Sequence, residues 1–242
     1  MKKTLTTALT AIALHALSFP ALSETHSKDT PIQHEPYTAI YQAMYKNFPL
    51  QATHRLEQSG DDWYFSSIAS GFFGQIEENT IFAYSEKGII PKHYIYRRNV
   101  LGQNRETEIT YNQKNHVAAG SKDDKPFKIP LKGGELDAGT YMLALADDIA
   151  RGYEEPCYDV VSDDGSELFC FRVTGKETIK TAMGQLDTIV VERLRKPSSP
   201  RHTQFWFAPS LHYAIAKLEH QEKKGHTAYS LEITYYKRDN GK

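Results

Sequence analysis

Residues 181–220 read TAMGQLDTIVVERLRKPSSPRHTQFWFAPSLHYAIAKLEH, and the pattern of this stretch decides the fold class. Three runs rich in β-branched and aromatic residues follow one another, separated by Met183-Gly184 and by the polar residues 196–200. Such runs favour half-buried strands, whereas Gly, Pro and Ser favour the turns between them. Most of the chain repeats this pattern, so the sequence predicts a mostly β protein.

The spacing of the predicted strands indicates how they connect. In residues 228–236, Tyr229, Leu231, Ile233 and Tyr235 alternate with polar residues, which is typical of a strand with one buried face. The connections are short, so neighbouring strands should pair antiparallel. A sheet of about twelve strands twists too strongly to stay flat. We expect a strongly curved antiparallel sheet or an open or partly closed β-barrel, with a sandwich as the alternative.

One segment between the two strand-rich halves has the periodicity of a helix. Tyr141, Leu145 and Ile149 recur every four residues and share one face. Residues 137–152 begin with an aspartate suited to N-capping and end with a glycine suited to the C-terminal cap. The pattern predicts a central α-helix that joins the two β halves and covers the concave face of the sheet or plugs one end.

The N-terminus has the features of a secretion signal. Lys2 and Lys3 precede a mostly apolar run at 8–17, and small residues surround the predicted cleavage site after Ser23. The run is too short to cross a bilayer, which takes ~20 residues. The sequence predicts a cleaved signal peptide at 1–23 and a periplasmic protein, with an uncleaved interfacial anchor as the alternative.

The remainder of the chain is organised as one domain. Residues 24–35 are polar and aperiodic, which predicts a disordered lead-in. Residues 36–238 predict a single β-rich domain, followed by a tail at 239–242. No later segment is apolar enough to span a bilayer, so we expect no transmembrane segment after signal cleavage.

The charge balance restricts the partners that the protein can bind. Without Lys2 and Lys3 the chain has 27 basic and 30 acidic residues. Binding to nucleic acid needs a concentrated positive field, so the sequence predicts no nucleic-acid partner. A lipid or glycan ligand, or a protein of the cell envelope, is the expected partner.

The two cysteines predict a disulfide. Cys157 and Cys170 flank a turn, and they lie opposite each other if the hairpin is centred between Asp163 and Asp164. Opposite residues of an antiparallel pair have Cα atoms ~4.5 to ~5.5 Å apart, which a disulfide can bridge. An exported chain meets an oxidising compartment, which favours the bond. A redox-active pair is the alternative, but the C-x-x-C spacing typical of such pairs is missing.

Recognisable catalytic and metal-binding motifs are missing from the sequence. Its ten histidines form no H-E-x-x-H or H-x-H pattern. Ser70 belongs to no G-x-S-x-G elbow, and no Gly-rich phosphate loop precedes the helix. We predict no metal, no cofactor and no catalytic residue, which favours a binding protein over an enzyme.

One charge cluster is a candidate ligand site. Arg193 and Arg195 share a face of a predicted strand, and Arg201, His202 and Trp206 follow closely. These residues predict a site for an anionic headgroup or glycan, with aromatic rings beneath it. The alternative is a solvated hairpin tip, because Lys and Arg at strand edges block unwanted pairing. If the sheet curls back, two further cations join the site: Arg97 and Arg98.

The order of several motifs resembles a family of exported bacterial proteins. A turn with Gly184, a strand ending at Arg195, a strand with Trp206 and a strand led by Tyr213 follow one another. Upstream motifs stand in the same order: Tyr64, Ile90-Pro91 before Tyr94 and Tyr96, and the helix after Leu136-Asp137. Residues 36–237 therefore resemble the family called domain of unknown function 3108.

This resemblance implies a β-rich envelope protein, similar in shape to curved-sheet periplasmic lipoprotein carriers, and it implies no catalytic residues. The chain departs from the family at Pro49-Leu50-Gln51, where members usually carry a Gly, so the first hairpin should be shaped differently.

The leading hypothesis is a non-enzymatic periplasmic binding or carrier module for an amphipathic or anionic envelope ligand. One alternative is a structural or accessory protein of an envelope complex that binds through an exposed strand edge. The other is a hydrolase with an unrecognised site.

Overall fold

Strands make up most of the chain. A computed structural model describes residues 35–239, so the predicted signal peptide, residues 24–34 of the lead-in and residues 240–242 of the tail lie outside the described residues. The helix α1 is Thr140–Ala150, and Gln113–Asn115 and Pro209–Leu211 form single 3-10 turns. The strands, in chain order, are β1 (Tyr37–Tyr45), β2 (Phe48–Ser59), β3 (Asp62–Gly71), β4 (Gly74–Ser85), β5 (Gly88–Val100), β6 (Gln103–Asn112), β7 (Val117–Lys122), β8 (Lys125–Pro130), β9 (Cys157–Ser162), β10 (Gly165–Thr181), β11 (Gly184–Leu194), β12 (His202–Ala208), β13 (Ala214–Lys223) and β14 (His226–Arg238).

All fourteen strands belong to one antiparallel sheet that is nearly closed into a barrel. Its order is β8-β7-β6-β5-β4-β3-β2-β1-β14-β13-β12-β11-β10-β9, because the first strand pairs with the last. The predicted curved, partly closed antiparallel sheet is confirmed. The count exceeds the expected twelve, in part because the Pro- and Lys-rich segment Lys125–Pro130 forms an edge strand, where Pro is tolerated.

Within residues 35–239, the sheet has one open seam, where β8 and β9 lie at its two edges and do not pair with each other. The chain that follows β8 runs beside β9 instead, since the Leu136 N–H donates to Asp159 O at 2.9 Å and the Val161 N–H donates to Leu136 O at 2.8 Å. Lys122 Nζ, at the end of β7, lies 2.6 Å from Asp163 Oδ2 in the turn after β9. These contacts hold the two edges of the sheet next to each other.

The inner face of the sheet carries the core. In β1 the buried side chains of Tyr37, Ala39, Tyr41 and Ala43 alternate with more exposed ones, as the pleat of a strand requires. Ile233 of β14 pairs with Tyr41 and is fully buried as well. Alternation along each strand therefore decides which side chains point into the barrel.

Helix α1 lies inside the curved sheet and fills its concave side. Leu145, Ala146 and Ile149 are buried, and burying a leucine or isoleucine side chain contributes roughly 1.5–3 kcal/mol. Their partners lie on the inner faces of β10 to β13: Phe171, Val191, Phe205, Phe207, Ile215 and Leu218. Within residues 35–239, no helix has both the length and the apolar character that a membrane crossing requires.

The start of α1 is fixed by a buried carboxylate. Asp137 Oδ1 accepts the backbone N–H groups of Gly139 at 3.0 Å and Thr140 at 2.7 Å, and Oδ2 accepts the Thr80 hydroxyl at 2.7 Å. Asp137 thus caps the helix by its side chain, although regular helix begins at Thr140, later than the predicted start of 137–152. Gly152, with φ of 80°, follows the last turn, where a left-handed residue commonly ends a helix.

The predicted disulfide is present. Cys157 and Cys170 lie opposite each other on β9 and β10, with Cα atoms 4.1 Å apart, and they are bonded. Ser162 pairs with Gly165, so the hairpin is centred between Asp163 and Asp164 as the sequence predicts. The bond pins the strand at one edge of the seam.

Replacing Asp137 tests how much this anchor stabilises the fold. In Asp137→Ala, two backbone N–H groups and the Thr80 hydroxyl lose their buried acceptor, and each unsatisfied group costs about 1–3 kcal/mol. We expect a loss of about 3 kcal/mol in the free energy of unfolding, measured by urea denaturation. Asp187→Ala removes an exposed bond to the Thr178 hydroxyl and is the control, with an expected change below about 0.5 kcal/mol. Equal losses in the two variants would contradict this role.

Candidate binding site

Polar and cationic side chains gather on the inner face at one end of the barrel, which we call the mouth. The mouth is the end that carries the turns after β1, β3, β5, β7, β9, β11 and β13, which the antiparallel meander places together. Strand alternation puts the inner-face residues next to these turns on the inside of the mouth. Two walls and a floor build the site.

The first wall consists of β5, β6 and β7. Arg98 pairs with Arg105, and Tyr96 pairs with Thr107, which in turn pairs with Lys122. These five side chains line a groove of about 470 Å³ together with Asp123. Arg105 Nη1 lies 2.5 Å from Asp123 Oδ2, and Lys122 is bound to Asp163.

Arg98 is the cation of this wall that has no carboxylate partner among the described residues. Its guanidinium donates to the Tyr45 hydroxyl at 3.3 Å and to Gln103 Oε1 at 3.5 Å. Its Nε–H is buried and donates to no acceptor among the described residues. A buried N–H of a charged group without an acceptor is costly, and an anion beside Arg98 would supply the missing acceptor.

The second wall consists of β10 and β11. Arg193 pairs with Phe171, and its guanidinium carbon lies 3.2 Å from the ring centroid of Phe169. Its side chain is 12% exposed, and Arg193 Nη2 donates to the exposed Glu167 at 3.2 Å. Burial, followed by the charge of Arg195, lowers the pKa of Arg193. The Nε atoms of Arg193 and Arg195 are buried without a partner within residues 35–239.

His220 and Tyr229 continue this wall on β13 and β14. Their rings stack with centroids 4.7 Å apart, and the Thr203 hydroxyl lies 2.8 Å from His220 Nδ1. Burial and then the positive charge of Arg195 lower the pKa of His220. The histidine is therefore held neutral more strongly than an ordinary one.

Glu78 on β4 forms the floor of the site. The Tyr94 hydroxyl donates to Glu78 Oε1 at 2.7 Å, while no described residue donates to Oε2. Burial, opposed by this bond and reinforced by the charge of Asp137, raises the pKa of Glu78 to about 7. Burial is the main cause that raises the pKa of Tyr96 on the first wall and of Tyr229 on the second, and the charge of Glu78 adds to both shifts, so both walls face one space.

Tyr141 of α1 brings an aromatic surface to this space. Its ring centroid lies 5.4 Å from that of Phe169 and 5.8 Å from that of Phe171. Burial is the main cause that raises the pKa of Tyr141, and the charges of Glu78, Arg193 and Arg195 also act on it. The mouth thus combines cations near the rim with aromatic rings below them.

The structure brings some of the predicted site residues together and separates others. Arg193 and Arg195 lie in the mouth, whereas Arg201 is exposed in the turn after β11. His202 lies 3.0 Å from Glu192, on the outer side of the strand pair. Trp206 is 5% exposed, and it lies on the face of β12 opposite to that of Phe205 and Phe207.

Separate contacts hold Trp206 away from the arginines of the mouth. Its Nε1 donates to Glu177 Oε2 at 2.8 Å, and Lys217 Nζ lies 4.6 Å from its ring centroid. Of the two further cations, Arg98 joins the site and Arg97 does not. Arg97 lies on the outer face, where it donates to Glu106 at 2.7 Å.

Sequence reasoning missed several residues of the site, among them Glu78, Tyr96, Tyr141, His220 and Tyr229. Alternation along β14 indicates the inward direction of Tyr229 and Ile233, so the position of Tyr229 could have been predicted from the sequence. The position of Glu78 requires knowledge of which strands face each other across the barrel. Among the described residues, no group of three His, Cys, Asp or Glu side chains is arranged to hold a metal ion.

The half-buried Glu78 makes stability depend on pH. Its pKa in the folded chain, about 7, exceeds its ordinary value of 4.5, so folding favours the protonated form and stability falls as the pH rises between these values. We expect Glu78→Gln to be more stable than the wild type by about 2 kcal/mol at pH above 8, and equally stable at pH below 4. Urea denaturation at both pH values measures this difference.

Glu77→Gln is the matched control, because Glu77 is the neighbouring carboxylate on the outer face of β4. It should leave the pH dependence of the wild type intact. A constant difference between Glu78→Gln and the wild type at all pH values would refute the role given to Glu78.

Comparison with solved structures identifies the fold. The crystal structure of a beta-barrel-like protein of domain of unknown function DUF1849 from Brucella abortus is similar, with a TM-score of 0.57 and 11% identity over 86% of this chain and 100% of that chain. At this identity the likeness shows a shared fold alone.

Two further structures are similar with lower scores. A "putative lipoprotein" from Parabacteroides distasonis ATCC 8503 has a TM-score of 0.34 and 12% identity, over 86% of this chain and 97% of that chain. A "putative outer membrane lipoprotein-sorting protein domain" from Vibrio parahaemolyticus has a TM-score of 0.24 and 11% identity, over 86% and 87%.

Comparison with protein families agrees with the resemblance found in the sequence. No curated protein matches the chain. The family described as "Protein of unknown function (DUF3108)" matches residues 41–234, which include twelve complete strands, parts of β1 and β14, and the helix. The chain therefore belongs to the DUF3108 family.

Proposed function

We propose that the protein is a non-enzymatic binding or carrier module of the bacterial envelope, and that its ligand is amphipathic with an anionic head. The observation that carries this proposal is the set of three arginines in the mouth, Arg98, Arg193 and Arg195. Their Nε atoms are buried and lack acceptors among residues 35–239. An anionic headgroup would supply these acceptors.

The chemistry of arginine favours an anion of the carboxylate or phosphate type. A guanidinium presents N–H donors in a planar fork that matches two oxygens at once. Lysine and arginine elsewhere on the first wall are already paired, since Lys122 binds Asp163 and Arg105 binds Asp123. Arg98 and Arg195 therefore have no carboxylate partner among the described residues, and Arg193 is paired only with the exposed Glu167, which a ligand could replace.

The aromatic surface below the arginines suits an apolar part of the ligand. Tyr141 stacks against Phe171, and Phe169 lies under the guanidinium of Arg193. Rings of this kind bind acyl chains by contact and allow them to slide, because the interaction is not directional. A ligand with a charged head at the rim and a chain directed inward matches both parts of the mouth.

A location in the periplasm agrees with the covalent chemistry of the chain. The predicted signal peptide would export it, and the disulfide between Cys157 and Cys170 is stable in an oxidising compartment. The ligand would then be a lipid or glycan of the envelope.

Titration of the delipidated protein with lysophosphatidylglycerol, followed by calorimetry, tests the proposal. We expect saturable binding that weakens about 10- to 100-fold in Arg98→Gln and in Arg193→Gln, because each removes a charge-assisted contact of about 1.5–3 kcal/mol. Arg97→Gln is the matched control, since Arg97 neighbours Arg98 but faces outward. It should bind as the wild type does.

Protein purified from its own cells provides the second measurement. Native mass spectrometry should find a bound amphiphile or anionic glycan and should lose it in Arg193→Gln. If the wild type neither takes up an anionic amphiphile nor carries a ligand from the cell, the proposal is wrong.

A further inference from the structure

The turns around the mouth differ in character from one side to the other. In their order around the barrel, the turns after β7, β5, β3, β1, β13, β11 and β9 form a ring. Apolar side chains occupy the turns after β5 and β3 and the start of β2. Basic side chains occupy the turns after β1, β13 and β11, and acidic side chains occupy the turns on both sides of the seam.

The apolar arc consists of Phe48, Phe72, Phe73 and Leu101. Phe72 is 94% exposed and Leu101 is 61% exposed, which is unusual for large apolar side chains of a folded protein. The arc is held together, because the Leu101 N–H donates to Phe73 O at 2.9 Å and the Phe73 ring lies 4.6 Å from that of Phe48. The ring of Phe72 in turn lies 5.1 Å from that of Phe73. Two neighbouring hairpins thus present one apolar edge.

The basic arc continues from this edge. Its members are all exposed, and none forms an ion pair with another described residue: Lys46, Lys196, Arg201, Lys223 and Lys224. The acidic arc at the seam consists of Asp123, Asp124, Asp163 and Asp164, and two of its members are neutralised by Arg105 and Lys122. The positive charge of the rim therefore lies next to its exposed aromatic rings, and the negative charge lies away from them.

We propose that this rim docks on a lipid bilayer that contains anionic lipids. Aromatic and aliphatic tips enter the boundary between headgroups and acyl chains, and neighbouring lysines and arginines contact the anionic surface, which is how interfacial proteins bind. The proposal goes beyond ligand binding, because it concerns the outer rim and requires no occupant of the barrel. It places the mouth against the membrane, where an amphipathic ligand would enter or leave.

The geometry favours a bilayer over a protein partner. The exposed rings stand at the tips of two turns, so they form a narrow edge rather than a broad flat patch. A stable protein interface needs about 800 Å² from each partner, with a central apolar area. A narrow apolar edge beside a line of free cations fits the layered structure of a membrane surface, where an apolar region lies directly below anionic charge.

Flotation of the full chain with vesicles tests this proposal. We expect the wild type to bind vesicles of phosphatidylethanolamine and phosphatidylglycerol at low salt, and to bind phosphatidylcholine vesicles at least about tenfold more weakly. Phe72→Ser should weaken binding about tenfold, because one inserted aromatic side chain contributes at about this level. Lys46→Glu and Lys224→Glu should each weaken vesicle binding about fivefold or more. High salt should also weaken the binding of the wild type, because it screens the attraction between the cations and the anionic lipids.

Matched controls lie at the opposite end of the barrel. Met183 is 37% exposed in the turn after β10, and Lys87 is exposed in the turn after β4. Met183→Ser and Lys87→Glu should bind vesicles as the wild type does. All variants change exposed turn residues, and thermal unfolding should show that they are folded.

Other results overturn the proposal. The proposal is wrong if the wild type does not bind vesicles at low salt. It is also wrong if the control variants lose as much vesicle binding as the rim variants. Dimer formation through Phe72 without vesicle binding would assign the rim to a second copy instead. Because Arg193→Gln leaves the rim intact, it should keep vesicle binding while it loses the ligand, so failure of docking and failure of ligand binding are distinguishable.

Discussion

The contact between Asp137 and Thr80 is the interaction on which the rest of the structure depends. The segment before Asp137 runs along β9 at the seam, and the helix after it fills the barrel. A side-chain hydrogen bond to Thr80 ties both to β4, on a wall far from the seam in strand order. Burial raises the pKa of Asp137, although the bonds from Thr140, Thr80 and Gly139 oppose this effect. A single buried carboxylate therefore sets the position of the helix, and with it the packing of the concave face.

The same anchor shapes the candidate site. Glu78 is two residues before Thr80 on β4, so it points to the same side of the sheet, and the charge of Asp137 contributes to its raised pKa. Tyr141 stands one turn beyond Asp137 on the helix and brings its ring to Phe169 and Phe171. The floor of the mouth is thus a consequence of how the helix begins. The arginines above it lie on β5, on β11 and directly after β11, and the barrel brings these strands to one space only because β1 pairs with β14.

Local pattern was sufficient for much of the fold. Alternation predicted the strands and the inward direction of Tyr229, Leu231 and Ile233, and the positions of Cys157 and Cys170 around a two-residue turn predicted the disulfide. The same alternation was wrong for Tyr235, because a β-bulge opposite Ile40 and Tyr41 shifts the register and leaves Tyr235 exposed on the outer face. The candidate site was harder, because its residues are far apart in sequence. Arg98 could be named only on the condition that the sheet curls back, while Glu78 carried no signal of its own. Trp206 was placed with the arginines because it is close in sequence, but strand alternation directs it to the other face, where Glu177 accepts its N–H.

The cations of the inner and outer parts of the mouth differ in how far they are exposed to water. Inside, the cations are arranged around a carboxylate and are desolvated, which lowers the pKa of Arg193 and makes specific pairing with a ligand favourable. Outside, the lysines of the rim remain in water, where a charge acts over about 8–10 Å and attracts an anionic surface without fixing its geometry. Both parts are joined by the strands themselves, since β11 leads from Arg193 and Arg195 directly into the turn with Lys196 and Arg201. In the proposed docking, a membrane would contact this turn next to the arginines that face the interior, so the proposed docking and the proposed binding of an anionic head would act on neighbouring residues of one chain segment.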